Sequence, residues 1–164
     1  MSTVRRFEEL KIWQLARKLC QEVNRVVILP NKQSDPALCD QINRSSASVM
    51  DNIAEGFDRF SRADFRHFLT MARGSAAEVR SQLYRAVDRN LLEADLTNQL
   101  LKQAMDLSVR ISNLISHLHH TEFKSKAPSQ KGIQIQEAAT EYLIDSSNYL
   151  LPEDEWVESN WTTP

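Results

Sequence analysis

The chain has 164 residues, 41% hydrophobic and 26% charged, with 3 Gly, 5 Pro and 2 Cys, which fits one compact domain with some length to spare. The glycines, Gly56, Gly74 and Gly132, form no glycine-rich loop that could cradle phosphate, so P-loop and dinucleotide folds are excluded, and Cys20 and Cys39 lack metal-ligand spacing. The net charge of -2 hides a division, because residues 1–127 carry 19 basic and 15 acidic side chains whereas residues 128–164 carry one lysine and seven acids.

The N-terminal MSTVRRFEELK has no apolar signal core and charge interrupts every apolar run, so a cytoplasmic chain without a membrane segment is expected. The first helical period places Ile12, Leu15, Ala16, Leu19, Cys20, Val23, Val26 and Val27 on one face with Trp13 at its edge. It predicts a helix from Phe7 to Leu29 that stops before Pro30. PNKQSDP is a loop, with Asp35 as N-cap and Pro36 at the first helical position of the second helix. Leu38, Ile42, Val49 and Ile53 form its apolar stripe, and Gly56 marks its expected end.

Ser61 and Asp64 have the spacing of a capping box at the start of a third helix, which turns Phe65, Phe68, Leu69, Ala72, Ala76, Val79, Leu83 and Val87 inward. The fourth runs from Ala94 to His120 with Leu96, Leu100, Ala104, Leu107, Ile111, Leu114, Ile115 and Leu118 inward. Four helices of similar length with short connections predict an all-α fold, an antiparallel up-down-up-down four-helix bundle over residues 1–124. A C-terminal extension follows over residues 125–164, comprising a linker and an acidic tail with one short helix at QEAATEYLIDSSNYLL.

The segments FEELKIWQLARKL, QINRSSASVMDNIAEG and SRADFRHFLTMARGSAAEVRSQL, in this order and spacing, resemble the four-helix bundle proteins encoded by intervening sequences of bacterial 23S rRNA genes. The resemblance implies a ring-like homopentamer without established catalysis. It also extends to the accessory protein of diversity-generating retroelements, a basic pentameric bundle that binds a reverse transcriptase and nucleic acid.

Several constellations carry functional expectations. Arg59, Arg66, Arg73 and Arg80 recur every seven residues and, with Arg62, form a ridge beside the apolar face of the third helix. Guanidinium forks suit phosphate or carboxylate, so the ridge is read either as a contact for structured RNA or DNA or as a row of salt bridges. Gly74 sits mid-helix away from the apolar face, where glycine costs about 1 kcal/mol relative to alanine. With Ser75 beside it, a close approach from another subunit is one explanation.

On the second helix Gln41, Arg44, Ser48, Asn52 and Glu55 form a polar stripe, read as a subunit seam or a ligand surface. Tyr142, Leu143, Trp156 and Trp161 in the tail either dock a protein partner or fold back on the bundle. A di-iron centre would need two Glu-x-x-His pairs, and none occurs; Asp64-x-x-His67 is a single copy, and His117, His119 and His120 cluster at a helix end. No metal, cofactor or catalytic residue is expected. The leading expectation is a non-enzymatic homo-oligomeric scaffold that binds nucleic acid through the arginine ridge. The alternative is an interaction hub that recruits an enzyme, such as a reverse transcriptase, through its surface or tail.

Overall fold

The computed structural model describes residues 4–31, 33–59 and 61–124, and among these all regular structure is helical. A short 3-10 turn, Phe7–Glu9, leads into helix α1, Lys11–Val23, which continues through a π-helical segment, Asn24–Ile28, and a closing turn, Leu29–Asn31. Three further helices follow: α2, Pro36–Asp58; α3, Arg62–Asp88; and α4, Ala94–Lys124. Each packs on its neighbour in sequence and α1 closes against α4, so the chain forms an all-α four-helix bundle. Connections of a few residues between helices this long make consecutive helices antiparallel.

Each boundary has a local cause. The Asp35 carboxylate accepts the Leu38 N–H at 3.0 Å, and Pro36 begins α2 where a backbone donor would have no acceptor. Ser61 caps α3: its hydroxyl oxygen accepts the Asp64 N–H at 3.0 Å and its O–H donates to the Asp64 carboxylate at 2.8 Å. The core is the merged apolar faces, with Phe65, Leu69, Leu83, Ile42, Ile53, Leu107 and Ile111 fully buried. Each such side chain contributes about 1.5–3 kcal/mol by leaving water.

Five expectations are corrected. The first helix does not stop before Pro30, which lies inside the closing turn; the wider π register just ahead of it accommodates the proline ring, which an α register would press on the carbonyl four residues back. Gly56 does not end α2. The helix runs on to Asp58 and Gly56 is buried with negative φ, because a Cβ there would lie 2.6 Å from Phe68 Cβ and 3.1 Å from Phe65 Cδ2. This glycine lets α2 and α3 approach closely.

Leu96 is not inward but 41% exposed, and Thr97 is buried in its place, its hydroxyl satisfied by the Glu93 carbonyl at 2.9 Å. Phe68 and Val87 are half-buried rather than central, while Ser75 and Ala86 are buried instead. Helix α4 also extends past His120 to Lys124.

Candidate nucleic-acid interface and subunit seam

Helix α3 turns its apolar face inward, which leaves two flanks: one meets α2, the other meets α4. Along the α2 flank polar side chains pair across the helices. The Ser45 hydroxyl donates to Gln82 Oε1 at 2.6 Å, Arg85 donates to Gln41 Oε1 at 2.8 Å, and the Ser48 and Ser75 hydroxyls lie 3.0 Å apart. At one end Arg89 forms an ion pair with Asp35. The Leu38 N–H, and then the Arg89 guanidinium, hold the Asp35 carboxyl below the usual carboxylate range. Asn52 donates to the Ser48 carbonyl at 2.7 Å and to its hydroxyl at 3.0 Å. Ser45 and Ser75 are buried yet have partners, as buried hydroxyls require.

Most of the residues expected at a subunit seam are thus drawn into contacts within the chain. Gln41, Ser48, Asn52 and Ser75 bond as described, and Glu55 forms an ion pair with Arg59. Arg44 is exposed. It borders an open groove of about 460 Å³, lined by Gln41, Arg44 and Ser48 from α2 and Glu78, Gln82 and Arg85 from α3. Gly74 is exposed, and a Cβ built on it would meet nothing within 4 Å. No neighbour among the described residues explains the absence of a side chain there.

The arginine ridge divides. Arg59 is not on α3; it is the extended C-cap residue of α2, with its guanidinium on Glu55 and 5.2 Å from the Phe68 ring centroid. The sevenfold spacing therefore crosses a helix boundary. Arg62, Arg66, Arg73 and Arg80 do lie on α3, and at 100° per residue they share the band that faces the α4 side, where no acidic residue of α3 falls. Arg73 donates to the Ser112 hydroxyl of α4 at 3.3 Å. The outward side of α2 has the opposite charge, with Asp40, Asp51 and Asp58 exposed.

Sequence reasoning missed Ser45, Gln82, Arg85, Arg89 and the pairing role of Asp35. A signal was present: Gln41, Ser45 and Ser48 ascend α2 at helical spacing while Arg85, Gln82 and Ser75 descend α3, which is the order antiparallel packing needs. Asp64 is engaged by the Ser61 cap of α3, and the His67 ring packs edge-on to Phe68 at 5.7 Å between centroids. No group of three or more His, Cys, Asp or Glu gathers to hold a metal among the described residues. Cys39 is buried and Cys20 half-buried, and neither is in a disulfide. No described helix is long and apolar enough to cross a membrane. Tyr142, Leu143, Trp156 and Trp161 lie outside the described residues.

Among solved structures, the chain resembles a protein of unknown function from the S23 ribosomal protein family of Bacteroides thetaiotaomicron. The TM-score is 0.59 at 23% identity, over 63% of this chain and 97% of that one, a likeness that concerns the fold. No curated protein matches the chain. The model of the 23S rRNA-intervening sequence protein family matches residues 8–127; that span contains all four helices, and the chain belongs to this family.

Proposed function

We propose that this protein is a non-enzymatic scaffold that self-associates through the outward face of α3 and holds a nucleic-acid backbone along the α3 arginine flank. The observation that carries the reading is the state of Arg73 and Arg80. Arg73 has a neutral hydroxyl as partner, and Arg80 forms no ion pair among the described residues. Two arginines whose helix positions lie about 10.5 Å apart along one flank thus carry guanidinium charge with no acidic partner among the described residues, available to an external anion. Exposed Asp40, Asp51 and Asp58 on α2 repel a polyanion from that side and so orient it. The family takes its name from sequences that interrupt 23S rRNA, which makes structured RNA the first probe.

Self-association rests on Gly74. In an exposed mid-helix position glycine costs about 1 kcal/mol relative to alanine, and the space above it is open, as the backbone of an approaching helix from another copy would need. A ring of five is the stoichiometry that the family resemblance implies.

The test is binding of a structured RNA hairpin as a function of salt. Arg73→Gln with Arg80→Gln should weaken binding for all sequences alike and flatten the log-log salt dependence by roughly 0.7 to 0.9 per lost phosphate contact, with oligomer mass unchanged. Absence of binding by the native chain at about 50 mM salt removes the nucleic-acid reading. Light scattering of Gly74→Leu tests the seam: an unchanged oligomer, or a monomeric native chain, removes that part.

A second reading, an interaction hub that recruits an enzyme, is favoured by the α2/α3 groove. It presents both signs of charge, from Arg44 and Glu78, which suits a protein segment better than a phosphate backbone.

A further inference from the structure

The α3 arginine flank and the chain beyond α4 are oppositely charged and start at the same place. Antiparallel counting from the Arg73 and Ser112 contact puts the end of α4 at Lys124 level with the first turn of α3, which carries Arg62. From there the flank runs about 27 Å to Arg80. Residues 128–164 hold one lysine and seven acids, four of which, Glu153, Asp154, Glu155 and Glu158, fall within six positions beside Trp156 and Trp161. The 28 residues between Lys124 and this cluster span up to about 90 Å when extended, so the cluster reaches every arginine of the flank. Tethering of this kind gives an effective concentration in the millimolar range.

We propose that the acidic segment around residues 153–158 is an intramolecular ligand of the arginine flank, occupying Arg73 and Arg80 and competing there with nucleic acid. Carboxylates satisfy the guanidinium forks in the same bidentate manner as phosphate, and the indoles of Trp156 and Trp161 add stacking and cation-π contact with arginine. The competition rests on the nucleic-acid reading above; the docking itself does not. A polyanion must displace the segment, so apparent affinity falls by the fraction of molecules with an open flank. The segment thereby selects against weak, non-specific polyanions, which cannot displace it.

Docking is tested on the full chain with Trp13→Phe, which leaves Trp156 and Trp161 as fluorophores. Acrylamide quenching should rise about twofold when Arg73→Gln and Arg80→Gln are added, and likewise in about 0.5 M salt, where charge attraction is screened. Equal quenching with and without the arginines overturns the proposal, as does protection that disappears on dilution, which would place the segment on a second copy. Tryptic cleavage after Lys126 and Lys131 provides the same test with Trp13 retained: it should accelerate in the arginine variant, and an unchanged rate counts against docking.

Competition is tested with an RNA duplex and the full-chain variant Glu153→Gln, Asp154→Asn, Glu155→Gln, Glu158→Gln. This variant should bind about fivefold more tightly than the native chain at low salt, the difference closing as salt rises. Equal or weaker binding overturns the competition. If no variant binds RNA while the arginines still protect the tryptophans, the nucleic-acid reading fails and the docking stands.

Discussion

The two flanks of α3 use similar side chains to opposite ends. On the α2 flank arginine, glutamine and serine are paired across the helices: Arg85 with Gln41, Arg89 with Asp35, Gln82 with Ser45 and Ser75 with Ser48. On the α4 flank Arg73 reaches a serine hydroxyl, and the half-buried Arg80 has no acidic partner among the described residues. On the α2 flank Arg89 is neutralised by Asp35 and Arg85 is tied to the Gln41 amide, contacts that fix helix register; on the α4 flank the Arg73 and Arg80 charges meet no acidic group among the described residues. What sets the arginines proposed to bind apart from the structural ones is therefore the composition of the opposing helix rather than the spacing along their own.

The comparison breaks most readily at Gly56, where α2 and α3 approach most closely. Gly56→Ala forces its Cβ against Phe68 Cβ, an atom fixed to the backbone of α3, and should cost about 1–3 kcal/mol in urea denaturation. A neutral result would mean that the α2 flank tolerates separation and its hydrogen bonds do not set register. Ser75→Ala removes the hydroxyl shared with Ser48 and should cost about 1 kcal/mol. Removing Arg73 and Arg80 together should change stability by under about 0.5 kcal/mol, however strongly it affects RNA binding. A loss as large as that at Ser75 would make the α4 flank structural too.

Gly74 provides a change of opposite sign. Open space above it within one copy lets Gly74→Ala raise the stability of the dissociated chain by about 0.5–1 kcal/mol in thermal or urea melts, whereas Gly74→Leu should lower oligomer mass. The smallest effect is the pH dependence of the Asp35 cap. Its folded-state pKa is depressed, so the stabilisation is complete above the unfolded value of about 3.9 and is lost as pH falls through the folded value. Urea midpoints compared at about pH 6 and pH 2.5 should drop less for Asp35→Asn than for the native chain.

The apolar period located the four helices because burial of Leu38, Ile42, Val49 and Ile53, or of Phe65, Leu69 and Leu83, leaves a mark at every turn. The caps at Asp35 and Ser61 were legible for a similar reason, since each acts within three residues of itself. Gly56 was misread as a terminator because its function lies in Phe65 and Phe68, on another helix. The extension of the sevenfold arginine spacing to Arg59 fails in the same way: a repeat counts residues and does not register a change of helix. Buried Ser45 and Ser75 are hard to recognise as core positions until their cross-helix partners are known, because a hydroxyl on an amphipathic helix otherwise reads as solvent-facing.

The order in which the helices touch has a consequence for how the chain reaches this state. Three of the four helix pairings join neighbours in sequence, and α2 and α3 are separated by three residues. Loop closure for that hairpin is therefore inexpensive, whereas α1 against α4 must bring together segments some eighty residues apart. The α2/α3 hairpin, with its glycine contact and cross-helix hydroxyls, is the expected nucleus, and α1 closes on α4 last. Substitutions at Gly56 should then slow folding, whereas truncation of Leu19 or Leu114 should chiefly speed unfolding. A predominantly local topology of this kind folds on a timescale of roughly microseconds to milliseconds.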